Sequence, residues 1–297
     1  MRFGFALPNN FGVPDADDVV ALAVQAERLG FDSVWTNHHV LNVGYVLDRL
    51  DDKPYWDALT VLTWAAASTS RVRLGTSVLV LPYLHPMGLA KQLATLDHLS
   101  AGRLIAGVGV GSLQAENEAL GVEWARRGAL SDEFLAVMNE LWTAPEPRFS
   151  GEFYRFDEVK ASPKPRQAPR PPIVVGGNRA PALRRAARWD GWHPMALPPE
   201  SLESRLRRLD EELAKAGRSR AELLVQVRLD LDLWASPRTQ TPKAPMHGTV
   251  DQLVEMVERY RAAGAGELVL SLNTGDCGLI ADTLERFAVG VIPAARR

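Results

Sequence analysis

Residues 72–111 read VRLGTSVLVLPYLHPMGLAKQLATLDHLSAGRLIAGVGVG. Residues 72–80 and 103–108 are short apolar runs of the kind that form buried strands, and the segment between them has room for a helix that begins at Pro86. A strand, a helix and a second strand in this order are typical of a parallel sheet with helical crossovers. The stretch therefore predicts one βαβ unit.

The same alternation of short apolar runs and helical patterns extends over the whole chain. Leu202, Leu206 and Leu209, for example, have the spacing that gives a helix one apolar stripe, as expected for a helix that covers a barrel wall. Eight strands with intervening helices predict an α/β protein with a (β/α)8 TIM barrel, in a single domain over residues 1–297. A doubly wound sheet could use the same elements, so the strand count leaves both architectures open. The predicted strands are residues 2–7, 33–37, 72–80, 103–108, 172–176, 191–196, 223–231 and 267–272.

Two stretches are longer than ordinary loops and predict insertions after the second and fourth strands. Residues 40–56 carry several aromatic side chains, and residues 144–171 are rich in proline and arginine. Within the second stretch, the pattern around Ser150-Gly151 indicates a hairpin. Long insertions after barrel strands often form lids over a site.

The overall composition excludes several classes of protein. The 34 basic and 36 acidic residues give a net charge of −2, without the basic runs that nucleic acid or an acidic membrane surface would require. Cys277 is the only cysteine, which excludes an internal disulfide and predicts a buried, inert thiol. No stretch approaches the roughly 18 apolar residues of a membrane span, and the run before Pro8 is too short for a secretory leader. We therefore expect a cytoplasmic protein.

The carboxyl ends of the strands, where a barrel enzyme places its catalytic groups, are polar and glycine-rich but poor in carboxylates. A glycosidase would need two acidic groups beside its substrate. Only three histidines, His38, His39 and His193, fall at strand ends, and the adjacent pair would point to opposite faces of a continuing strand. These features argue against a metal site and favour a cofactor that carries the reaction.

The glycines of Gly107-Val108-Gly109-Val110-Gly111 lack the spacing of the dinucleotide pattern G-x-G-x-x-G. They are better explained by a strand end at which the backbone approaches a flat ring or a neighbouring strand closely.

Gly176-Gly177-Asn178-Arg179 follows an apolar strand and opens a helix with Pro181 near its first turn. Backbone N–H groups at such a junction can bind phosphate, and Arg179 adds positive charge. An ordinary strand-to-helix turn would have the same sequence, but barrels often hold phosphate at helix N-termini, which favours the binding role.

Three blocks of sequence together resemble the luciferase-like flavin oxidoreductases, most closely their deazaflavin F420-dependent branch. The resemblance covers nearly the whole chain, and its second block is highly specific. The blocks are GFDSVWTNHH at 30–39; residues 72–78, 85–86, 92–97, 99–103 and 107–111; and PPIVVGGN at 171–178 with AARWDGWHP at 186–194.

This resemblance implies a (β/α)8 barrel, usually dimeric, that holds a flavin-type ring at the carboxyl ends of its strands. It also implies a non-prolyl cis peptide at Ser77-Val78, which forms a bulge behind the ring, and a catalytic pair at the end of the second strand that maps onto His38 and His39. The cofactor is then F420, with FMN as the alternative. The expected cofactor-binding residues are Ser77, Val78, Gly109, Gly111, Gly176, Gly177, Asn178 and Arg179.

One position departs from the family pattern. Some F420-dependent sugar dehydrogenases carry a glutamate directly after the fourth-strand glycines, where this chain has Ser112. The difference argues against sugar oxidation. Glu116 and Glu118 come slightly later and are interpreted as a solvated helix face.

The leading hypothesis is hydride transfer between F420 and a small organic substrate, without a metal and without a nucleic-acid or membrane partner. His39 is the candidate proton donor or acceptor, because imidazole titrates near neutral pH. His38 could contact the polar edge of the ring or face the barrel wall. The alternatives are an FMN-dependent monooxygenase that uses O2 and a non-catalytic flavin-binding protein. The aromatic side chains that suggest a substrate pocket are Tyr45, Tyr55, Trp56, Tyr83 and Trp192.

Overall fold

Eight parallel strands close into a barrel in the computed structural model, which describes residues 1–235 and 245–296. The first strand pairs with the second and the eighth, and the sixth pairs with the seventh, so the ring has no open edge. The predicted (β/α)8 barrel is confirmed, and the doubly wound alternative is excluded. In chain order the barrel strands are Arg2–Ala6, Ser33–Thr36, Arg73–Thr76, Leu104–Gly109, Ile173–Gly176, Gly191–His193, Leu224–Leu233 and Glu267–Ser271.

Helices cover the outside of the barrel, and local signals define their ends. The Asp15 side chain accepts the N–H of Asp17 at the start of the first helix, and Thr249 forms a capping box with Gln252. The helices are α1 (Ala16–Arg28), α2 (Tyr45–Leu50), α3 (Ala58–Ser68), α4 (Pro86–Leu99), α5 (Gln114–Ala119), α6 (Arg127–Thr143), α7 (Ala180–Ala186), α8 (Pro199–Lys215), α9 (Val250–Ala262), α10 (Cys277–Gly290) and α11 (Ile292–Ala295).

Side chains of the seventh strand point alternately to the outer apolar core and to the barrel interior. Val225, Val227 and Leu229 belong to the large apolar core between the sheet and the helices. Gln226 and Arg228 alternate with them and make polar contacts inside the barrel. A second, smaller apolar cluster lies inside the barrel and consists of Ala6, Trp35, Ile105, Val174 and Val269.

The third strand is interrupted where the sequence predicted a continuous run over 72–80. It ends at Thr76, and the peptide bond between Ser77 and Val78 is cis, as the family resemblance implies. The chain then resumes as a short strand, Leu79–Val80, that pairs with the fourth strand. Ser77 and Val78 therefore form a bulge at the carboxyl end of the barrel.

Both predicted insertions are present. The segment after the second strand contains α2, and the one after the fourth strand contains an antiparallel hairpin of Phe149–Ser150 and Arg155–Phe156. The N–H of Gly151 donates to the carbonyl of Tyr154 and closes the turn. The carboxylate of Glu133 in α6 accepts three N–H groups of this turn, which fixes the hairpin to the helix.

Cys277 departs from its predicted burial. It is the first residue of α10 and is half-buried, and partial burial raises the pKa of its thiol. Within residues 1–235 and 245–296, no helix has both the length and the apolar character of a membrane span.

Candidate functional site

The Val78 side chain packs against two of the glycines predicted to bind the cofactor. A Cβ added to Gly109 would lie 2.6 Å from Val78 Cγ2, and one added to Gly176 would lie 2.9 Å from Val78 Cγ1. A Cβ on Gly107 would lie 1.7 Å from the carbonyl oxygen of Thr76. These three glycines are therefore explained by close approach of the third strand and its bulge. For Gly107 and Gly109, this is the neighbouring-strand alternative that the sequence left open. The structure brings Ser77, Val78, Gly109 and Gly176 together at the carboxyl end of the barrel.

Gly111 is required for a different reason. Its φ of +81° lies in the left-handed region that favours glycine. An added Cβ would also approach Val80, Asn117 and the hydroxyl of Tyr83 within about 3.2 Å. Gly111 thus lets the chain turn from the fourth strand toward α5.

The Gly177-Asn178-Arg179 turn is engaged in structural contacts. The Asn178 amide donates to the carbonyl of Met195 at 2.7 Å and accepts its N–H at 3.1 Å. Gly177 has a φ of +110° and its carbonyl accepts the indole N–H of Trp192. Arg179 is the exposed N-cap residue of α7. The phosphate role of this turn stays a prediction.

His39 lies in a polar cluster that the sequence did not predict. Its Nδ1 is 2.6 Å from a carboxylate oxygen of Glu116, and its Nε2 is 3.0 Å from the hydroxyl of Tyr45. The other Glu116 oxygen accepts the N–H groups of Val40 and Leu41. The interpretation of Glu116 as a solvated residue is therefore wrong: it is fully buried, whereas Glu118 is exposed as expected.

The protonation of the His39–Glu116 pair follows from these contacts. Burial by itself raises the pKa of the Glu116 carboxyl, but the hydrogen bonds from His39 and from two backbone N–H groups outweigh burial and hold that pKa below its ordinary value. An ionised Glu116 can only accept, so Nδ1 of His39 carries a hydrogen. Nε2, on the Tyr45 side, is then the nitrogen that can exchange a proton.

His38 has a separate environment. It is buried, and its Nδ1 accepts the N–H of Val80 at 3.1 Å. Burial lowers the pKa of His38 to about 4, so the ring is neutral at neutral pH. Of the two roles open from the sequence, this contact favours a place in the barrel wall, behind the bulge. Because the second strand ends at Thr36, both histidines lie in the loop after it and not on opposite faces of a strand.

Polar side chains fill the barrel interior below the bulge. The Ser77 hydroxyl is 2.9 Å from Nε2 of His193, whose ring stacks on Trp35 with centroids 4.9 Å apart. Arg228 reaches across from the seventh strand, donating to the side-chain oxygen of Asn37 and to the carbonyl and hydroxyl of Ser77. Burial lowers the pKa of Arg228, and burial lowers that of His193 to about 3.

Three of the five aromatic residues proposed for a pocket lie at the mouth of the barrel. Tyr45 and Tyr55 contact the ring of His39 edge-on, with centroids 5.9 and 5.8 Å away. The Tyr55 hydroxyl is buried without a hydrogen-bond partner among the described residues, and the Tyr83 hydroxyl accepts the amide of Asn117. The other two, Trp56 and Trp192, pack against the apolar core.

A separate groove of about 660 Å³ runs between α3 and α4, outside the barrel mouth. Trp64 and Leu99 line it and are 45% and 63% exposed. His38 reaches its inner end, so only the barrel wall separates this surface from the bulge. Among residues 1–235 and 245–296, no cluster of three or more His, Cys, Asp or Glu side chains could hold a metal ion.

Sequence reasoning missed Arg228, although a signal was present. In residues 225–233, VQVRLDLDL, polar residues alternate strictly with apolar ones, which predicts that Arg228 faces inward if the apolar face lies under the helices. Glu116 had no comparable signal, because a short helix with several glutamates has the pattern of an exposed one.

Comparison with known proteins places these features in one family. Residues 1–236 match the family described as luciferase-like monooxygenase. An uncharacterised protein of Mycobacterium tuberculosis is 37% identical over 231 residues, covering 73% of this chain and 78% of the relative. An F420-dependent glucose-6-phosphate dehydrogenase of Nakamurella multipartita is 36% identical over 244 residues, covering 78% of this chain and 68% of the relative.

Among solved structures, a monooxygenase of Streptomyces bottropensis superposes with a TM-score of 0.85 at 25% identity and covers 99% of both chains. The resemblance inferred from the sequence is therefore confirmed, and the relatives include F420-dependent enzymes. The chain belongs to the luciferase-like monooxygenase family.

Proposed function

We propose that this protein is an F420-dependent oxidoreductase that transfers a hydride between the deazaflavin and a small organic substrate. The observation that carries the proposal is the bulge at Val78, packed against Gly109 and Gly176 above a polar barrel interior. One face of a flat ring can pack against a bulge of this kind. The F420-dependent relative that matches most of the chain supports the deazaflavin over FMN.

The residues present fit such a ring. Val78 would support one face, and the polar groups of Ser77, Asn37 and Arg228 would meet the hydrogen-bonding end of the ring inside the barrel. The exposed Arg179 at the start of α7 would bind the phosphate of the cofactor tail. When bound, F420 would supply or accept the hydride at C5.

His39 is the residue that would hold or move the accompanying proton. Glu116 fixes its Nδ1, so Nε2 points to the side of the barrel mouth where Tyr45 and Tyr55 lie. These aromatic side chains, with Tyr83, would bound the substrate and exclude water. Proximity and orientation would supply much of the rate.

The substrate we favour is not a sugar phosphate, although the F420-dependent relative is named for one. Ser112 is exposed and cannot replace an acid after the fourth-strand glycines. The carboxylate that this chain does place at the mouth, Glu116, is fully engaged with His39 and two N–H groups. Proton transfer would therefore depend on one imidazole, which suits a small alcohol or carbonyl compound.

An FMN-dependent monooxygenase is the second candidate. The solved monooxygenase that superposes over 99% of the chain favours a monooxygenase reaction. The barrel interior does not separate the two rings, because both present the same hydrogen-bonding end. We therefore rank FMN below F420 on the relatives alone.

A binding experiment separates these candidates. The purified protein is titrated with F420 and with FMN, and binding is followed by fluorescence and absorbance. We expect F420 to bind more tightly, and tight FMN binding without F420 binding would reject the leading proposal. The His39→Ala variant should then keep its affinity for F420 and lose at least about a hundredfold in turnover.

We also propose that two copies of the chain, each folded as one unit over residues 1–297, associate through the groove between α3 and α4. Trp64 and Leu99 expose apolar surface there, and a tryptophan in an apolar groove is a common anchor of protein interfaces.

A further inference from the structure

Arg228 is a half-buried cation whose side chain crosses the inside of the barrel. From the seventh strand its guanidinium donates to the side-chain oxygen of Asn37, to the carbonyl of Ser77 at 3.2 Å and to the Ser271 hydroxyl at 3.4 Å. Asn37 and Ser77 directly follow the second and third strands, and Ser271 ends the eighth, so Arg228 lies across the carboxyl end of the barrel next to the bulge. All of these acceptors are neutral.

No carboxylate compensates this charge among residues 1–235 and 245–296. Asp230, two residues along the same strand, raises the pKa of Arg228 through space without forming an ion pair with it. The Nε of Arg228 is buried and has no acceptor in the described part of the chain. A half-buried guanidinium whose acceptors are all neutral keeps an uncompensated charge, so an anionic or strongly accepting ligand would complete the arrangement.

Other groups near Arg228 do not supply that acceptor. The Tyr55 hydroxyl is also buried without a partner, and burial raises its pKa, so it remains a neutral donor. His193 is neutral for the same physical reason. The charged and titratable groups that act on Arg228 or are acted on by it are Asp230, Tyr55, Arg49, Tyr45 and His193.

We propose that Arg228 binds the pyrimidine edge of the ring, at N1 and the C2 carbonyl, and stabilises the negative charge carried there. The inference rests on the proposed function, because it requires a flavin-type ring in the barrel. The tail of either cofactor must leave through the mouth toward solvent. The pyrimidine end of the ring, which carries hydrogen-bond acceptors, then enters the barrel deepest. The guanidinium of Arg228, next to the bulge, can donate hydrogen bonds to it.

This role has a consequence for the electronic state of the cofactor. In oxidised F420 the ionised ring hydroxyl shares its charge with the pyrimidine edge, and in reduced FMN the charge lies at N1. A fixed cation at that edge favours the anionic form, and such charges are a principal means by which a protein tunes a bound ring. Arg228 would therefore lower the pKa of bound F420 and raise the midpoint potential of bound FMN.

The test is a pH titration of the absorbance of F420, whose neutral and ionised forms have different spectra. Wild type is compared with Arg228→Met, which removes the charge, and Arg228→Lys, which keeps it. Arg207→Met is the matched control, because it removes a guanidinium from an exposed ion pair on α8. Thermal unfolding of each variant without ligand reports whether the barrel is intact.

We expect the pKa of F420 to be lower when bound to wild type than when free. Arg228→Met should raise it by about one unit or more and weaken binding about ten- to hundredfold, as expected for loss of a hydrogen bond to a charged group. Arg228→Lys should recover most of the difference, and Arg207→Met should behave as wild type.

Two results would overturn the inference. The first is a pKa of bound F420 in wild type that equals or exceeds that of free F420, which needs no variant and so does not depend on Arg228→Met folding. The second is a folded Arg228→Met variant in which the pKa of bound F420 is unchanged.

If wild type binds FMN alone, the same variants are compared by the midpoint potential of bound FMN. A fall of about 30 mV is expected for each tenfold loss of preference for the reduced ring. An unchanged potential would reject the role of Arg228, whereas failure of wild type to bind either ring would reject the proposed function itself.

Discussion

Nδ1 of His39 lies 2.6 Å from Oε2 of Glu116, a carboxylate 77 residues further along the chain. The contact joins the loop after the second strand to α5 after the fourth strand. Because Glu116 also accepts the N–H groups of Val40 and Leu41, the loop and the imidazole are held by one buried side chain. The candidate proton carrier is thereby fixed in orientation and in the position of its hydrogen.

Glu116→Gln should impair turnover without impairing cofactor binding. The amide keeps the shape of the side chain but loses the charge that holds a hydrogen on Nδ1. We expect kcat to fall by about ten- to a hundredfold, with KM and the Kd for F420 changed less than about threefold. Steady-state kinetics checks this, with Glu118→Gln on the exposed face of the same helix as the control. Equal losses in both variants would reject a specific role for Glu116.

His38 should make the stability of the protein depend on pH. Its pKa is lowered from 6.5 to about 4 by burial, so the folded state binds fewer protons than the unfolded state between these values. Stability is therefore fully present above about pH 6.5 and is lost as the pH falls toward 4.

The measurement is urea unfolding at pH 7 and pH 5, with His38→Asn as the comparison because its side chain can still accept the N–H of Val80. Wild type should lose about 2 kcal/mol more than this variant between the two pH values. His193, whose pKa is also lowered, is present in both proteins and cancels in the difference. A pH dependence that is identical in the two proteins would contradict a buried, neutral His38.

Gly109→Ala should destabilise the barrel by forcing Val78 out of place. The new Cβ would lie 2.6 Å from Val78 Cγ2, and overpacking of this kind costs about 1–3 kcal/mol. Gly88→Ala is the control, because a Cβ there meets no atom within 4 Å and replaces a helical glycine, so its effect should be neutral or slightly stabilising.

The mechanism can be tested with the Val78→Ala background. There the added methyl group has space, so Gly109→Ala should cost less than it does in wild type. Additive effects in the double variant would show that Val78 is not the group that requires glycine at 109. Chemical unfolding of the four proteins provides the measurement.

Trp64→Glu should dissociate the proposed dimer. A charge placed in an apolar interface leaves an unpaired group, and loss of a tryptophan anchor typically weakens association about thirtyfold or more. Light scattering across a range of concentrations reports the mass. Val289→Glu, at a 74% exposed position on α10, makes the same charge change away from the groove and should leave the mass unaltered. A wild-type protein that is monomeric at all concentrations would reject the proposal.

The eight strands and the insertions were predictable because their signals are local. Short apolar runs, the caps at Asp15 and Thr249, and the long polar segments depend on neighbours in sequence, and the structure has an element at each predicted position. The interruption at Ser77-Val78 has no local signal and came from the family resemblance.

Closure of the barrel and the identity of the site neighbours were decided by tertiary structure. Closure depends on the pairing of the sixth strand with the seventh and of the eighth with the first, which the alternation of elements does not specify. The sequence determined that polar residues alternate along the seventh strand and that glycines end the fourth. Only folding over long separations could set Glu116 against His39 and Arg228 against Ser77. Residues far apart in sequence become partners where the closed barrel brings them within hydrogen-bonding distance.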